Sequence, residues 1–136
     1  MTAANPPARF APPPRRLEIR VQPDRDAVCL RPAGELDLAG SHRLSIAVDE
    51  LAENGFEDIV IDLRGLEFID CAGVRVLLAQ HAAAVRAGRR LSLIHGCAAI
   101  RRVFALTHTL DMLPFRSATG VPRASDRAAC DAPEHD

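Results

Sequence analysis

Two periods run along this chain, and they locate its elements. Leu17, Ile19 and Val21 alternate with polar residues, the pattern of a half-buried strand. Gln22-Pro23-Asp24-Arg25-Asp26 is turn chemistry; Val28 and Leu30 resume the alternation, with Gly34 and Leu36 beyond, so a hairpin is predicted. Asp37 to Ser41 leads into a helix, in which Leu44, Ala47, Val48, Leu51 and Ala52 recur at helical spacing until Asn54-Gly55 stops it. Ile59-Val60-Ile61 is an unbroken β-branched run closed by Asp62-Leu63, which suits a strand covered on both faces. After Asp70, the residues Val74, Leu77, Leu78, His81, Ala82 and Val85 mark a second helix that ends at Gly88. Leu91, Leu93 and Ile94 form the next strand. Ala98 to Leu106 reads as a third helix through Ile100, Val103, Phe104 and Leu106, and Met112 to Phe115 as a short edge strand.

The order ββαβαβα plus a last strand predicts an α/β domain: a mixed four- to five-stranded sheet with helices packed against it. The opening hairpin is what makes the sheet mixed. The domain spans residues 17–115. Residues 1–16 carry five prolines and no periodicity, and residues 116–136 are similarly unpatterned. Neither stretch buries enough apolar surface to offset its ordering entropy, so both are predicted to be disordered tails. A chain of 136 residues that is 48% hydrophobic supports one core rather than two.

Charge narrows the function classes. The 17 basic residues, all arginine, and the 18 acidic ones leave a net charge of -1, which sets up no overall field to attract nucleic acid or anionic lipid. The absence of Trp and Tyr removes the usual stacking platforms for single strands. No nucleic-acid or membrane partner is expected. No charged start followed by an apolar stretch opens the sequence, so a cytoplasmic location is expected. Cys29, Cys71, Cys97 and Cys130 form no CxxC pair and are expected to be reduced; the five histidines form no HExxH. No metal, no cofactor and no catalytic residue is assigned.

The chemistry concentrates at Asp70-Cys71-Ala72-Gly73, where a strand hands over to a helix. First-turn N–H groups and the positive end of the helix dipole point outward there, an environment that stabilises a thiolate or, were a hydroxyl present, a phosphate. The structural reading is a small residue at a helix start, with Asp70 or Cys71 as the cap. A catalytic thiol needs a base, and His81 would lie roughly 15 Å further along the helix axis.

Four segments, GELDLAGSHRL (34–44), IVIDLRGLEFIDCAGVRVLL (59–78), AGRRLSLI (87–94) and IRRVFALTHTLDMLPF (100–115), resemble STAS domains of the anti-sigma factor antagonist type. The resemblance covers nearly all of residues 17–115, and the first two segments in combination are its specific part. It implies a STAS-like mixed sheet with helices on it. It also implies a function: such antagonists bind an anti-sigma factor that is a serine kinase of the ATPase superfamily, and so release a sigma factor. The kinase inactivates the antagonist by phosphorylating a serine, and a phosphatase restores it. In the usual motif, D-S-(S/T/A)-G, the first small residue accepts the phosphate. Asp70 and Gly73 match, and Cys71 occupies the acceptor position.

The resemblance therefore implies a partner-binding set of Asp37, Asp70, Cys71, Ala72, Gly73 and Val74, and leaves no hydroxyl for a serine kinase at Cys71. A neutral thiol is close to serine in size, so the chain reads as a constitutively competent or differently regulated antagonist. A STAS subunit of another complex, in transport or signalling, and a redox-responsive thiol protein are the alternatives. Asp37 and Ser41 are both candidate helix caps; Ser41, Thr107 and Thr109 are the other hydroxyls a kinase could use; and Arg101-Arg102 reads as a solvated helix face. The family usually has T-G-L-D where this chain has T-H-T-L-D (107–111), which implies an altered loop.

Overall fold

The structure, a computed structural model, describes residues 16–24 and 27–116. Strands β1 (Glu18–Asp24) and β2 (Ala27–Leu36) form the antiparallel hairpin. Helix α1 (Leu38–Glu53) leads to β3 (Asp58–Asp62), and a short 3-10 turn (Leu63–Gly65) leads into β4 (Leu66–Ile69). Helix α2 (Cys71–Ala87), β5 (Arg90–Ile94), helix α3 (Ala98–Leu106), a second 3-10 turn (Leu110–Met112) and β6 (Phe115–Arg116) complete the order. Among the described residues the sheet has six strands in the order β1-β2-β3-β5-β6, with β4 paired to β2 off that path. Every pairing after the hairpin is parallel.

This is the expected mixed sheet with three helices, with more strands than expected. The additional strand is β4, because Leu-Glu-Phe-Ile is too short to show a period and lies inside what the sequence reads as a junction. The hairpin turn is also shorter than expected: Gln22, Pro23 and Asp24 pair with Cys29, Val28 and Ala27 and belong to β1. The rest of that turn, at residues 25 and 26, lies outside the described residues, as do most of the two predicted tails. At the far end, the edge strand predicted over 112–115 is displaced to Phe115–Arg116, because Met112 closes a 3-10 turn instead.

One face of the sheet carries the core. Val28 and Leu30 of β2, Ile59 and Ile61 of β3, and Leu91 and Leu93 of β5 join Leu44 and Val48 of α1, Leu77 and Ala84 of α2, and Ile100 and Phe104 of α3 in a single cluster. Full burial of one such leucine is worth about 1.5–3 kcal/mol. The alternate strand residues Cys29, Val60 and Ile94 point the other way and form a separate small cluster. Two polar devices hold the frame. Buried Gln80 on α2 donates to Ser45 Oγ at 3.2 Å and Asp49 Oδ1 at 3.3 Å on α1. At the end of β3, Asp62, 2% exposed, accepts from Arg64 N (3.1 Å), Nε (2.9 Å) and Nη2 (2.7 Å), with Arg31 Nε 3.5 Å away. That pairing turns the chain from β3 into β4.

The cysteines do not share one state. Cys29 and Cys71 are free thiols, whereas Cys97 is disulfide-bonded, so the expectation of reduced cysteines fails at Cys97. Burial pushes the Cys29 thiol above its usual value, against the opposing pull of Arg31, which keeps it neutral and inert.

Candidate functional site

Asp70 caps α2: its carboxylate accepts from Gly73 N at 3.2 Å, in an extended backbone. Cys71 is then the first helical residue, and its side chain is exposed. Gly73 is required by close approach. A Cβ there would lie 2.6 Å from Ile69 Cγ1 and 2.7 Å from the Leu36 carbonyl oxygen. The helix start therefore rests directly on the end of β2, where Asp70 N–H also donates to Leu36 O at 3.4 Å.

Asp37 does the same at the start of α1, accepting from Gly40 N at 2.9 Å, and a Cβ on Gly40 would lie 2.8 Å from Glu35 O. Because Leu36 pairs with Ile69, the two helix starts lie side by side. Asp37 alone is the cap. Ser41 is buried one turn further in, its hydroxyl without a hydrogen-bond partner among the described residues.

The structure thus brings five of the expected residues to one surface: Asp37, Asp70 and Ala72 half-buried, Cys71 exposed, and Gly73 buried beneath them. Val74 faces the core and packs under the turn. Two exposed apolar residues on the elements that build this surface escape sequence reasoning. Leu38, the first residue of α1, is 74% exposed, and Phe68 of β4 is 45% exposed. Phe68 is a bulky apolar residue, yet a register shift between Gly34 and Glu35 leaves Glu67 as an extra residue on β4. The bulge turns Phe68 outward and sends Ile69 into the core. Gly34, at φ 109, takes the positive angle that the shift demands. The repetition of Asp-x-Ala-Gly at 37–40 and 70–73 is the signal that could have paired the two surfaces.

The remaining hydroxyls are spent structurally. Thr107 Oγ1 donates to Val103 O at 2.8 Å, and Thr109 Oγ1 to Phe104 O at 3.3 Å, closing the end of α3. The altered T-H-T-L-D loop is a helix cap. His108 N–H bonds Ala105 O and Thr109 N–H bonds Phe104 O, with His108 at φ 60 in the position that glycine usually holds. Arg101 and Arg102 are exposed, as expected of a solvated face.

A model of the family described as Mlab, STAS domain, matches residues 19–114, and the chain belongs to that family. It is 29% identical over 105 residues to the anti-sigma-F factor antagonist RsfA of Mycobacterium tuberculosis, covering 76% of this chain and 82% of that protein. Its fold is that of the anti-sigma factor antagonist SpoIIAA. The unphosphorylated form superposes with a TM-score of 0.64 at 22% identity, over 76% of this chain and 90% of that one. The phosphorylated form, of the Bacillus protein, superposes with a TM-score of 0.60 at 21% identity, over 76% and 93%. At these identities the two structures speak for the fold alone. Among the described residues, no group of three or more His, Cys, Asp or Glu could hold a metal ion, and no helix is long and apolar enough to cross a membrane.

Proposed function

We propose that this chain is an anti-sigma factor antagonist, a cytoplasmic binding module rather than an enzyme. It docks on an anti-sigma factor of the ATPase and serine-kinase type and so frees a sigma factor. The observation that carries the reading is the pair of adjacent helix starts, where the first helical residues Cys71 and Leu38 are both exposed. The likeness to RsfA supports it. Cys71 sits where a phosphoserine would place roughly two negative charges against a docked partner, enough to repel it. With a thiol in that place the surface stays in its unphosphorylated state, and neither kinase nor phosphatase acts on it there.

The test is a pull-down of the tagged protein from its own lysate, wild type beside Cys71→Asp, with retained proteins identified by mass. The expected result is an ATPase-fold kinase held by the wild type and bound at least about tenfold more weakly by the variant, or about 1.4 kcal/mol. Incubated with that kinase and ATP, Cys71→Ser gains phosphate and the wild type does not. Phosphate on wild-type Cys71 would defeat the unswitched reading. One observation favours a second reading, a STAS subunit of a transport or signalling complex: the matching family model is described by Mlab and names no sigma-factor system. Retention of such a complex in place of a kinase would replace the first reading with this one.

A further inference from the structure

At the other end of α2 lies a cleft of about 340 Å³, bordered by the second half of the helix, the first half of β5 and the side chain of Arg116. Cys71 is ten residues before His81 along the helix, roughly 15 Å at 1.5 Å per residue, so this is not the candidate docking surface.

The inventory of hydrogen-bonding groups around the cleft is one-sided. Three of its acceptors are engaged. Asp58 Oδ2 faces Arg90 Nη2 at 3.4 Å, and the carbonyls of Ala84 and Val85 at the helix end take Arg89 N–H (2.9 Å) and Gly88 N–H (3.2 Å). Its donors are not. Buried Arg89 Nη1 and buried His81 Nδ1 have no hydrogen-bond partner among the described residues, and His81 donates from Nδ1 in one of its two tautomers. The β5 backbone adds another. Arg90 N–H bonds Glu57 O on the β3 side, and Leu93 N–H bonds Pro114 O on the opposite side. Successive strand N–H groups alternate in direction, so Leu91 N–H faces the same edge as Leu93. There β6 pairs only with Leu93 and Ile94, and no strand among the described residues continues beside Leu91.

Unpartnered guanidinium donors favour an anion, and guanidinium groups match the oxygen geometry of phosphate. The volume is at the lower end for small-ligand sites, and Val85 adds an apolar wall. We infer that the cleft between α2 and the open edge of β5 binds a small polyanion of the phosphate class, held by Arg89, Arg116 and the Leu91 N–H.

Pyrophosphate is the probe. Calorimetric titration of the full chain at low salt is expected to show saturable one-to-one binding, with the Leu91 amide resonance shifting along the same isotherm. Arg89→Gln and Arg116→Gln each remove one cation and are expected to weaken binding about tenfold. Arg102→Gln, an equal charge change on the exposed face of α3, is expected to stay within about twofold of the wild type. Circular dichroism identifies which arginine variant is folded, and either one suffices. No saturable binding, an equal loss in Arg102→Gln, or binding without movement of the Leu91 amide overturns the assignment.

Discussion

Asp37-Leu38-Ala39-Gly40 and Asp70-Cys71-Ala72-Gly73 are nearly the same sequence, and they build nearly the same object. In each, an aspartate in extended backbone caps a helix by accepting from the glycine three residues on, at 2.9 Å and 3.2 Å. Each glycine is pressed against a carbonyl oxygen at the end of β2. They differ in what surrounds them. Gly40 sits against Glu35 O with Leu17 behind it, and Arg43 Nη1 ties α1 to Leu17 O, so the first turn anchors the entry into β1. Gly73 sits against Leu36 and Ile69 and anchors the pairing of β2 with β4. The two also differ at the first helical residue, an exposed leucine in one and an exposed thiol in the other. A local motif sets a local geometry; the neighbours decide what the geometry is for.

The largest effects come from filling the two glycines. Gly73→Ala is expected to cost about 2–3 kcal/mol, because its Cβ meets Ile69, the Leu36 oxygen and Leu36 Cγ all at 3.0 Å or less. Gly40→Ala has one such contact below 3.0 Å and should cost less, about 1–2 kcal/mol. Urea unfolding of the two variants ranks them, and the reverse order would mean that the β1 entry, not the β2–β4 pairing, is the tighter joint.

Next come the caps. Asp37→Ala and Asp70→Ala should each cost about 1 kcal/mol, equally if the turns are equivalent. A difference well beyond that, read by the same unfolding experiment, would show that one aspartate serves more than its helix.

The helix ends offer a smaller contrast of the same kind. Gly88 closes α2 at φ 73, whereas His108 holds the left-handed position after α3 at φ 60. His108→Gly is expected to stabilise the chain by about 0.5–1 kcal/mol, seen as a raised thermal midpoint, while Gly88→Ala lowers it by a similar amount.

The smallest contrast is between thiols and leaves stability unchanged. A bulky maleimide should label exposed Cys71 promptly and reach buried Cys29 only on unfolding. Prompt labelling of Cys29 would mean that the sheet face carrying it opens in solution.

Much of this molecule is legible in one dimension. The apolar spacing of Leu44, Val48 and Leu51 requires an amphipathic α1, and Ala98–Leu106 is read to the residue, because helical periodicity is a local property that tertiary contacts seldom override. Asp70 as a cap is equally local, since the bond closes within three residues. What is not legible is whatever depends on a partner distant in sequence. β4 exists because Leu66–Ile69 pairs with β2, some thirty residues earlier in the chain. Phe68 is exposed because that pairing slips by one residue. Leu38 and Cys71 share a surface because Leu36 meets Ile69. The Leu91 edge of β5 is open because, among the described residues, β6 pairs only with Leu93 and Ile94. Each of these is set by register between strands, and register is decided when two surfaces are brought together, not by the order of residues along either one.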